Sequence, residues 1–467
     1  MQSGQSVIQC LEKNWNKHLD DLKALVRVPS ISFPGYPPEN VTKSAEAVSK
    51  LMQRAGLKNV EVIKLGSAHP YVYGEWLEAK DAPTLLLYAH HDVQPVGRED
   101  VWKTPPFEPT EKEGPGGMRL FGRGAADDKA GVIVHLSAIE SFLKTNGKLP
   151  VNVKMIVEGE EEVGSSELEN FLKTYRSRLD ADVLVLTDTS NFEIGIPSLT
   201  VALRGIVAMS VELRSLKKTV HSGMWGGPLP DPVMALTKVL AGMTDSDGRV
   251  TIPGALDGFR PPTEQELSEA AKLPYNEKQF RDQGGMVESA KILKQGSHPL
   301  AQTWMYPSVT VNAFEASSRK SAANIICDAA WARVTLRCAR GMNPKKTFEA
   351  MARYIKEATP WGLEVSITDE GGGNPWATDP VGPAFECAKR ALEKGYGHRV
   401  VAIGSGGTIP FVEPFAKALG GAPVLLVGVE DPYTNAHGEN ESLLISDFKK
   451  ACLSQVYLFD EIGSNYR

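Results

Sequence analysis

Residues 84–92 read TLLLYAHHD, and this short run decides the fold. Its apolar part has the length of a strand and ends in His90 and Asp92 rather than in turn residues. Two later runs repeat the pattern, VNVKMIVEGEEE at 151–162 and DVLVLTD at 182–188. Near-continuous apolar runs suit strands buried on both faces, the habit of parallel sheets. The stretches 131–143 and 166–179 between them read as helices. Strands alternating with helices predict an α/β class, with a central sheet covered by helices on both faces.

Toward the N-terminus, Ile8, Leu11, Trp15, Leu19, Leu22 and Val26 recur at helical spacing, and Pro29 stops the pattern. A second helix is expected over 41–55. Toward the C-terminus the texture changes after Pro197. Residues 207–213 (VAMSVEL) and 332–336 (ARVTL) alternate like half-buried antiparallel strands, and a polar stretch, 245–300, lies between them. A Gly/Pro-rich segment at 371–380 reads as a hinge. The β-α-β texture then resumes, with a helix near 384–394 and strands near 400–403 and 423–427. The expected organisation is a discontinuous catalytic α/β domain, 1–205 and 373–467, carrying an inserted α+β domain, 206–372.

A chain of 467 residues is long enough for two cores. Its formal charge of −6 argues against nucleic acid as a partner, which would need a basic face. No apolar run is long enough to span a bilayer and no secretory leader is visible, so no membrane partner is expected. Cys10, Cys327, Cys338, Cys387 and Cys452 are scattered, with no C-x-x-C pair, which fits a reducing, cytoplasmic setting better than a disulfide framework.

The acidic clusters carry the chemistry. Taken alone, His90-x-Asp92 reads as a surface turn, Asp127–Asp128 as a helix N-terminus, and Glu158, Glu160, Glu161 and Glu162 as a solvated acidic run. Together they mean more. His90/Asp92, Glu161/Glu162, Asp188 and His437 each follow an apolar strand, and Asp127 lies in a loop that a strand leads into. Ligands of open α/β sheets bind beyond the carboxyl ends of strands. Oxygen and imidazole donors without thiolates suit Zn, Mn or Co, and the donors suffice for two ions with one carboxylate shared.

In this order the motifs resemble the co-catalytic metallopeptidases that include carnosinase, cytosolic non-specific dipeptidase, glutamate carboxypeptidase and aminoacylase (peptidase family M20). The likeness runs through LVRVPSIS, AHHDVQP, FGRGAADDKAG, EGEEEVGS, LTDT, PSLTVALRG, HSGMWGG, GSGGTIP and HGENES, and is strongest to the dipeptidase branch. The resemblance implies two divalent ions per subunit, zinc first, with manganese or cobalt as alternatives. His90 and Asp188 would end one site, Glu162 and His437 the other, and Asp127 would bridge them through a cis peptide to Asp128. Asp92 would orient His90, and Glu161 would be the general base. The inserted domain would be a lid that also forms a homodimer. From it His221 would reach the neighbouring subunit's site, and Asn324 and Arg337 would contact the small peptide substrate, Arg337 at its carboxylate. Gly407 and Thr408 would line the pocket floor. Ala89, Ala130, Cys327 and Thr408 depart from common family residues, and Thr408 leaves substrate preference open.

The activity implied is hydrolysis of dipeptides with a free carboxylate. An N-acyl amino acid hydrolase is the alternative, and a non-catalytic binder on the same fold is a remote one. A nucleotide enzyme is disfavoured, because Asp127 stands where the third glycine of a dinucleotide fingerprint would fall. His91 should point away from His90, and His18, His69, His135, His298 and His398 read as surface or core residues.

Overall fold

The computed structural model describes residues 2–293, 298–409 and 411–466. Pro410 of the GSGGTIP motif and residues 294–297 of the polar stretch lie outside the described residues. The chain divides into two compact units: Met1–Val201 with Thr378–Ile403 and Pro410–Arg467, and Ala202–Ala377 with Gly404–Ile409.

The first unit is built on a mixed sheet. Seven of its strands run in the spatial order Lys58–Ile63, Tyr71–Trp76, Asn152–Glu158, Thr84–His90, Val183–Leu186, Val424–Leu426 and Ser198–Leu203. The middle four are mutually parallel, and antiparallel strands flank them on both sides. The two-residue period of a strand divides the apolar runs between two faces. Leu85, Leu87, Val153, Met155, Val183 and Val185 join the main core with the helices Lys129–Asn146, Pro383–Tyr396 and Ile445–Asn465. On the other face Tyr88 packs on Phe411, with ring centroids 3.6 Å apart, and Tyr71 stacks on Phe171 at 4.3 Å. Both faces are therefore covered, as buried parallel strands require.

One expectation needs correction. The N-terminal pattern forms two helices, Gln2–Lys13 and Trp15–Val26, not one. Asn14 between them leaves helical geometry (φ −98°, ψ 10°), and its Nδ2 donates to the Cys10 carbonyl at 2.7 Å. A short amide side chain competes for backbone carbonyls in this way, and periodicity does not reveal it. The strand leading to Asp127, Gly117–Phe121, is not part of the main sheet. It lies in a separate three-stranded sheet between Thr110–Gly114 and Ser442–Leu444.

The second unit holds a four-stranded antiparallel sheet in the order Ser308–Glu315, Ala329–Cys338, Gly205–Arg214, Glu364–Gly373. Val207, Met209, Val211, Leu213, Ala332, Val334 and Leu336 form a core of their own with the helices Pro232–Ala241 and Pro344–Ala358. The edge strand Ser308–Glu315 is exposed along most of its length. The segment 404–409 belongs to this unit although its flanking residues belong to the first. No helix among the described residues is long and apolar enough to cross a membrane.

Candidate metal centre

Parallel strands that end together deliver the residues just beyond them to one place. His90 closes its strand directly opposite Glu158, so the turn after Glu158 lies beside it. Asp188 comes just after Val183–Leu186, the neighbour on the other side. The small sheet adds the last two donors. Pairing of Ser442–Leu444 with Gly117–Phe121 brings the loop of His437 to the loop of Asp127.

His90 Nε2 lies 3.0 Å from Asp127 Oδ1 and 3.7 Å from Asp188 Oδ1. His437 Nε2 lies 3.0 Å from Asp127 Oδ2 and 3.4 Å from Glu162 Oε2. The two oxygens of Asp127 thus face different histidines, as a shared ligand requires. Donor atoms of His90, Asp127 and Glu162 fall within 4.8 Å of one another, and so do those of His90, Asp128 and Asp188. The Asp127–Asp128 peptide is cis. His437 is the accessible member, with its side chain 59% exposed and its backbone in the left-handed region (φ 63°).

The surroundings fix these groups. Asp92 accepts hydrogen bonds from the Glu161 and Glu162 amides (3.3 and 3.1 Å) and from Ser32 Oγ (2.7 Å), with an oxygen 3.4 Å from His90 Nδ1. It therefore holds the glutamate turn as well as His90. Gln94 donates to both oxygens of Glu162, at 3.0 Å from its amide and 2.6 Å from its side chain. Glu441 is fully buried and accepts from the amides of Gly124, Ala126 and Asp127 and from Arg123 Nη1 (2.8 Å). Sequence reasoning named Asp128 only as the partner in the cis peptide, and it missed Gln94 and the Glu441–Arg123 pair. The visible signal was the motif HGENES, which sets Glu441 four residues after His437. His91 is buried and bonds the Pro70 carbonyl through Nε2, apart from the ligand set.

Within the EGEEE run the four acids are held differently. Glu158 accepts from Tyr71 and Tyr88 hydroxyls (3.2 and 2.8 Å), and Glu160 from the Tyr71 hydroxyl and the Glu167 amide (2.8 and 3.1 Å). Glu162 is held by Gln94. Among the described residues no hydrogen bond reaches the Glu161 carboxylate.

Burial, then the mutual repulsion of neighbouring acids, pushes Glu161 and Asp128 well above the carboxylate range, Glu162 up to about 8, and Asp188 upward. Asp127 is the exception: burial works against it, but hydrogen bonds from His437 and His90 hold it well below its ordinary value. Desolvation of its ring edge among the acids lowers His437, which is otherwise accessible, yet its bond to Asp127 and the charges of Glu162 and Glu161 carry it up to about 10. Acids packed this closely want positive charge, and their oxygen and imidazole donors fit Zn, Mn or Co.

The remaining expected residues lie in the second unit. His221 pairs with Ile325 in a two-residue ladder, and the Ser222 amide donates to the Asn324 carbonyl at 2.9 Å, so His221 and Asn324 are neighbours. His221 is exposed, and its Nδ1 accepts from the Gly223 amide at 3.0 Å. In the neutral ring this leaves the proton on Nε2 as a donor. Arg337 donates from Nη1 to Thr408 Oγ1 at 2.9 Å, and the Gly407 amide donates to Ser405 Oγ at 3.1 Å.

Known proteins with related sequences agree with this architecture. The cysteinylglycine-S-conjugate dipeptidase of Corynebacterium striatum is 32% identical over 381 residues, 80% of each chain. The Cys-Gly metallodipeptidase DUG1 of Candida albicans is 27% identical over 96% of this chain and 95% of its own. The crystal structure of human carnosine dipeptidase 1 superposes with a TM-score of 0.88 at 25% identity, covering 99% of both chains. The model of Peptidase family M20/M25/M40 matches residues 86–459, the span that holds every residue of the centre from His90 to Glu441, and the chain belongs to that family.

Proposed function

We propose that this protein is a metal-dependent dipeptidase that hydrolyses the amide bond of dipeptides bearing a free C-terminal carboxylate. The observation that carries the reading is the bridging position of Asp127 between His90 and His437, next to a Glu161 carboxylate that no hydrogen bond from the described residues occupies. The relatives named as dipeptidases support the substrate class.

His90 and Asp188 would hold one divalent ion, Glu162 and His437 a second, and Asp127 both. Zinc is the first choice, with manganese or cobalt as alternatives. Such ions, when bound, lower the pKa of water and polarise a carbonyl. Glu161 takes the proton of the attacking water on its carboxylate and later gives it to the leaving amine. Asp92 keeps His90 and the Glu161–Glu162 turn in register. Arg337 holds the substrate carboxylate, with Asn324, Gly407 and Thr408 completing the contacts. His221 offers its Nε2 proton to the developing oxyanion of a neighbouring subunit's substrate, in a homodimer formed through the second unit. Exposed Met224 and Trp225, close after His221, support burial of this segment against a partner. All five cysteines are free, which supports a cytoplasmic location.

A substrate panel tests the reading. The metal-loaded enzyme is offered free dipeptides, their C-terminal amides, N-acetyl and N-succinyl amino acids, and tripeptides. Free dipeptides should give the highest kcat/KM. Faster turnover of the N-acyl amino acids would move the assignment to an acylase, and no turnover of any would overturn it.

A further inference from the structure

Arg204, in the motif PSLTVALRG, has no role that the sequence alone assigns. In the structure it ties together the loop 404–409 and the start of the edge strand. Its Nε donates to the Gly406 carbonyl at 3.2 Å, and its Nη1 to the Tyr306 carbonyl and Ser308 Oγ at 3.1 and 3.0 Å. Its amide donates to the Ser405 carbonyl at 3.3 Å, and its carbonyl accepts the Thr408 hydroxyl at 2.6 Å.

The Thr408 hydroxyl is the link that matters. It has one proton, and that proton goes to the Arg204 carbonyl. A guanidinium only donates, so the contact from Arg337 Nη1 uses a lone pair of the same oxygen. The order is Arg337 N–H to Thr408 O–H to Arg204 C=O, and it fixes how the Arg337 fork is turned. Gly373 makes room for the threonine, because a Cβ there would meet Thr408 Cγ2 at 2.8 Å. Among the described residues neither arginine has a carboxylate within ion-pair distance, and the protein groups bonded to both guanidiniums are neutral oxygens. Burial and the nearby charge of Arg337 lower Arg204 to about 10. Two cations held side by side without a counter-charge leave room for an anion.

We infer that Arg204 is a positioning residue for substrate selection: it anchors the loop 404–409 and, through the Thr408 hydroxyl, sets the Arg337 fork in the orientation that takes a carboxylate. The inference rests on the reading of Arg337 as the carboxylate clamp.

The test compares a free dipeptide with its C-terminal amide on metal-loaded Arg204→Gln, Thr408→Val, Thr408→Ser, Arg337→Ala and the Arg204→Gln/Arg337→Ala double variant, with thermal unfolding of each. Arg204→Gln and Thr408→Val should each raise KM for the dipeptide about tenfold more than for the amide, the scale of a misdirected charge-assisted contact. Thr408→Ser should recover most of what Thr408→Val loses. In the Arg337→Ala background, Arg204→Gln should add nothing to the discrimination, because the two act as one unit. Equal losses on both substrates, or full additivity in the double variant, would overturn the inference. Should Arg204→Gln fail to fold, Thr408→Val, which removes only the hydroxyl, decides the matter. If Arg337→Ala discriminates while the Arg204 and Thr408 variants do not, this inference alone fails. If Arg337→Ala does not discriminate, the clamp reading falls and takes the inference with it.

Discussion

Asp127, Asp128, Glu161, Glu162 and Asp188 crowd one end of the parallel sheet, with His90 and His437 set among them. In the second unit, Arg204 and Arg337 stand together with only neutral oxygens as partners among the described residues. One region holds an excess of acid, the other an excess of base. In both, the charge is fixed by hydrogen bonds from the surrounding chain and not cancelled by them. Packing that leaves a charge unanswered supports the ligands proposed above: a cation for the first region, an anion for the second. The regions also differ in how they are braced. Asp92, Gln94 and Glu441 join loops far apart in sequence, whereas Arg337 is set by a single loop.

The comparison can be broken or sharpened in order of effect. Removing metal should have the largest consequence. Exhaustive chelation should abolish turnover, and Zn, Mn or Co should restore it. Added metal should also raise stability, by about 2.7 kcal/mol at a hundredfold excess over Kd, read as a shift in Tm. Activity in protein shown to be metal-free by elemental analysis would refute the first half of the comparison.

Next comes Glu161, the acid whose carboxylate accepts no hydrogen bond among the described residues. Glu161→Gln should retain metal and lose about a hundredfold or more in kcat, whereas His437→Ala should lose metal. Glu160→Gln should cost far less in kcat, because its carboxylate is already bonded to Tyr71 and Glu167. If Glu160→Gln is the more damaging, the bases have been exchanged.

Subunit mixing sharpens the reading of His221. His221→Ala and Glu161→Ala should each be nearly inactive. After subunit exchange, heterodimers should regain partial activity, because a chain with Glu161 receives His221 from the other. No recovery, with exchange shown by mass, would place His221 in its own subunit's chemistry or in none.

Smaller again is the clamp. Arg337→Ala should penalise free dipeptides over their amides by about 1.5–3 kcal/mol, measured as a ratio of kcat/KM values. Equal penalties would remove the anion from the second region.

The smallest effect contrasts His90 and His437 with a histidine buried away from them. His18 is lowered to about 4, chiefly by burial, against an ordinary 6.5. The unfolded chain takes up this proton first, so the contribution to stability is full above pH 6.5 and is lost as pH falls toward 4. At pH 5 the wild type should have lost about 2 kcal/mol on this account, and His18→Gln should lose correspondingly less between pH 7 and pH 5 in urea unfolding. An unchanged difference would mean that His18 is not held neutral.

Much of this was legible because apolar strands and their polar ends are both local features of sequence. Residues 84–92 announce a strand and the histidine that closes it in one run. Choosing Glu161 from its neighbours was not legible in the residues themselves, since the run EGEEE offers near-identical side chains. The partners that tell them apart, Tyr71, Tyr88 and Gln94, come from other elements. The same limit hid Glu441, whose partners lie more than three hundred residues away in sequence. It also hid Arg204, whose bonds reach residues near 306 and 406. The membership of 404–409 in the second unit was invisible for another reason: the segment directly continues a strand of the first.

The strand Val424–Leu426 lies between Val183–Leu186 and Ser198–Leu203, both of which are made more than two hundred residues earlier. A chain growing from the ribosome must therefore carry its main sheet with a gap in the middle while the whole second unit is synthesised. The edges facing that gap are buried and apolar in the finished protein, the kind of surface that recruits other strands. His437 emerges later still. Until it does, the acids at the sheet's end lack the histidine that faces the second oxygen of Asp127, so closing the sheet and completing the proposed metal centre fall to the same late stretch of synthesis.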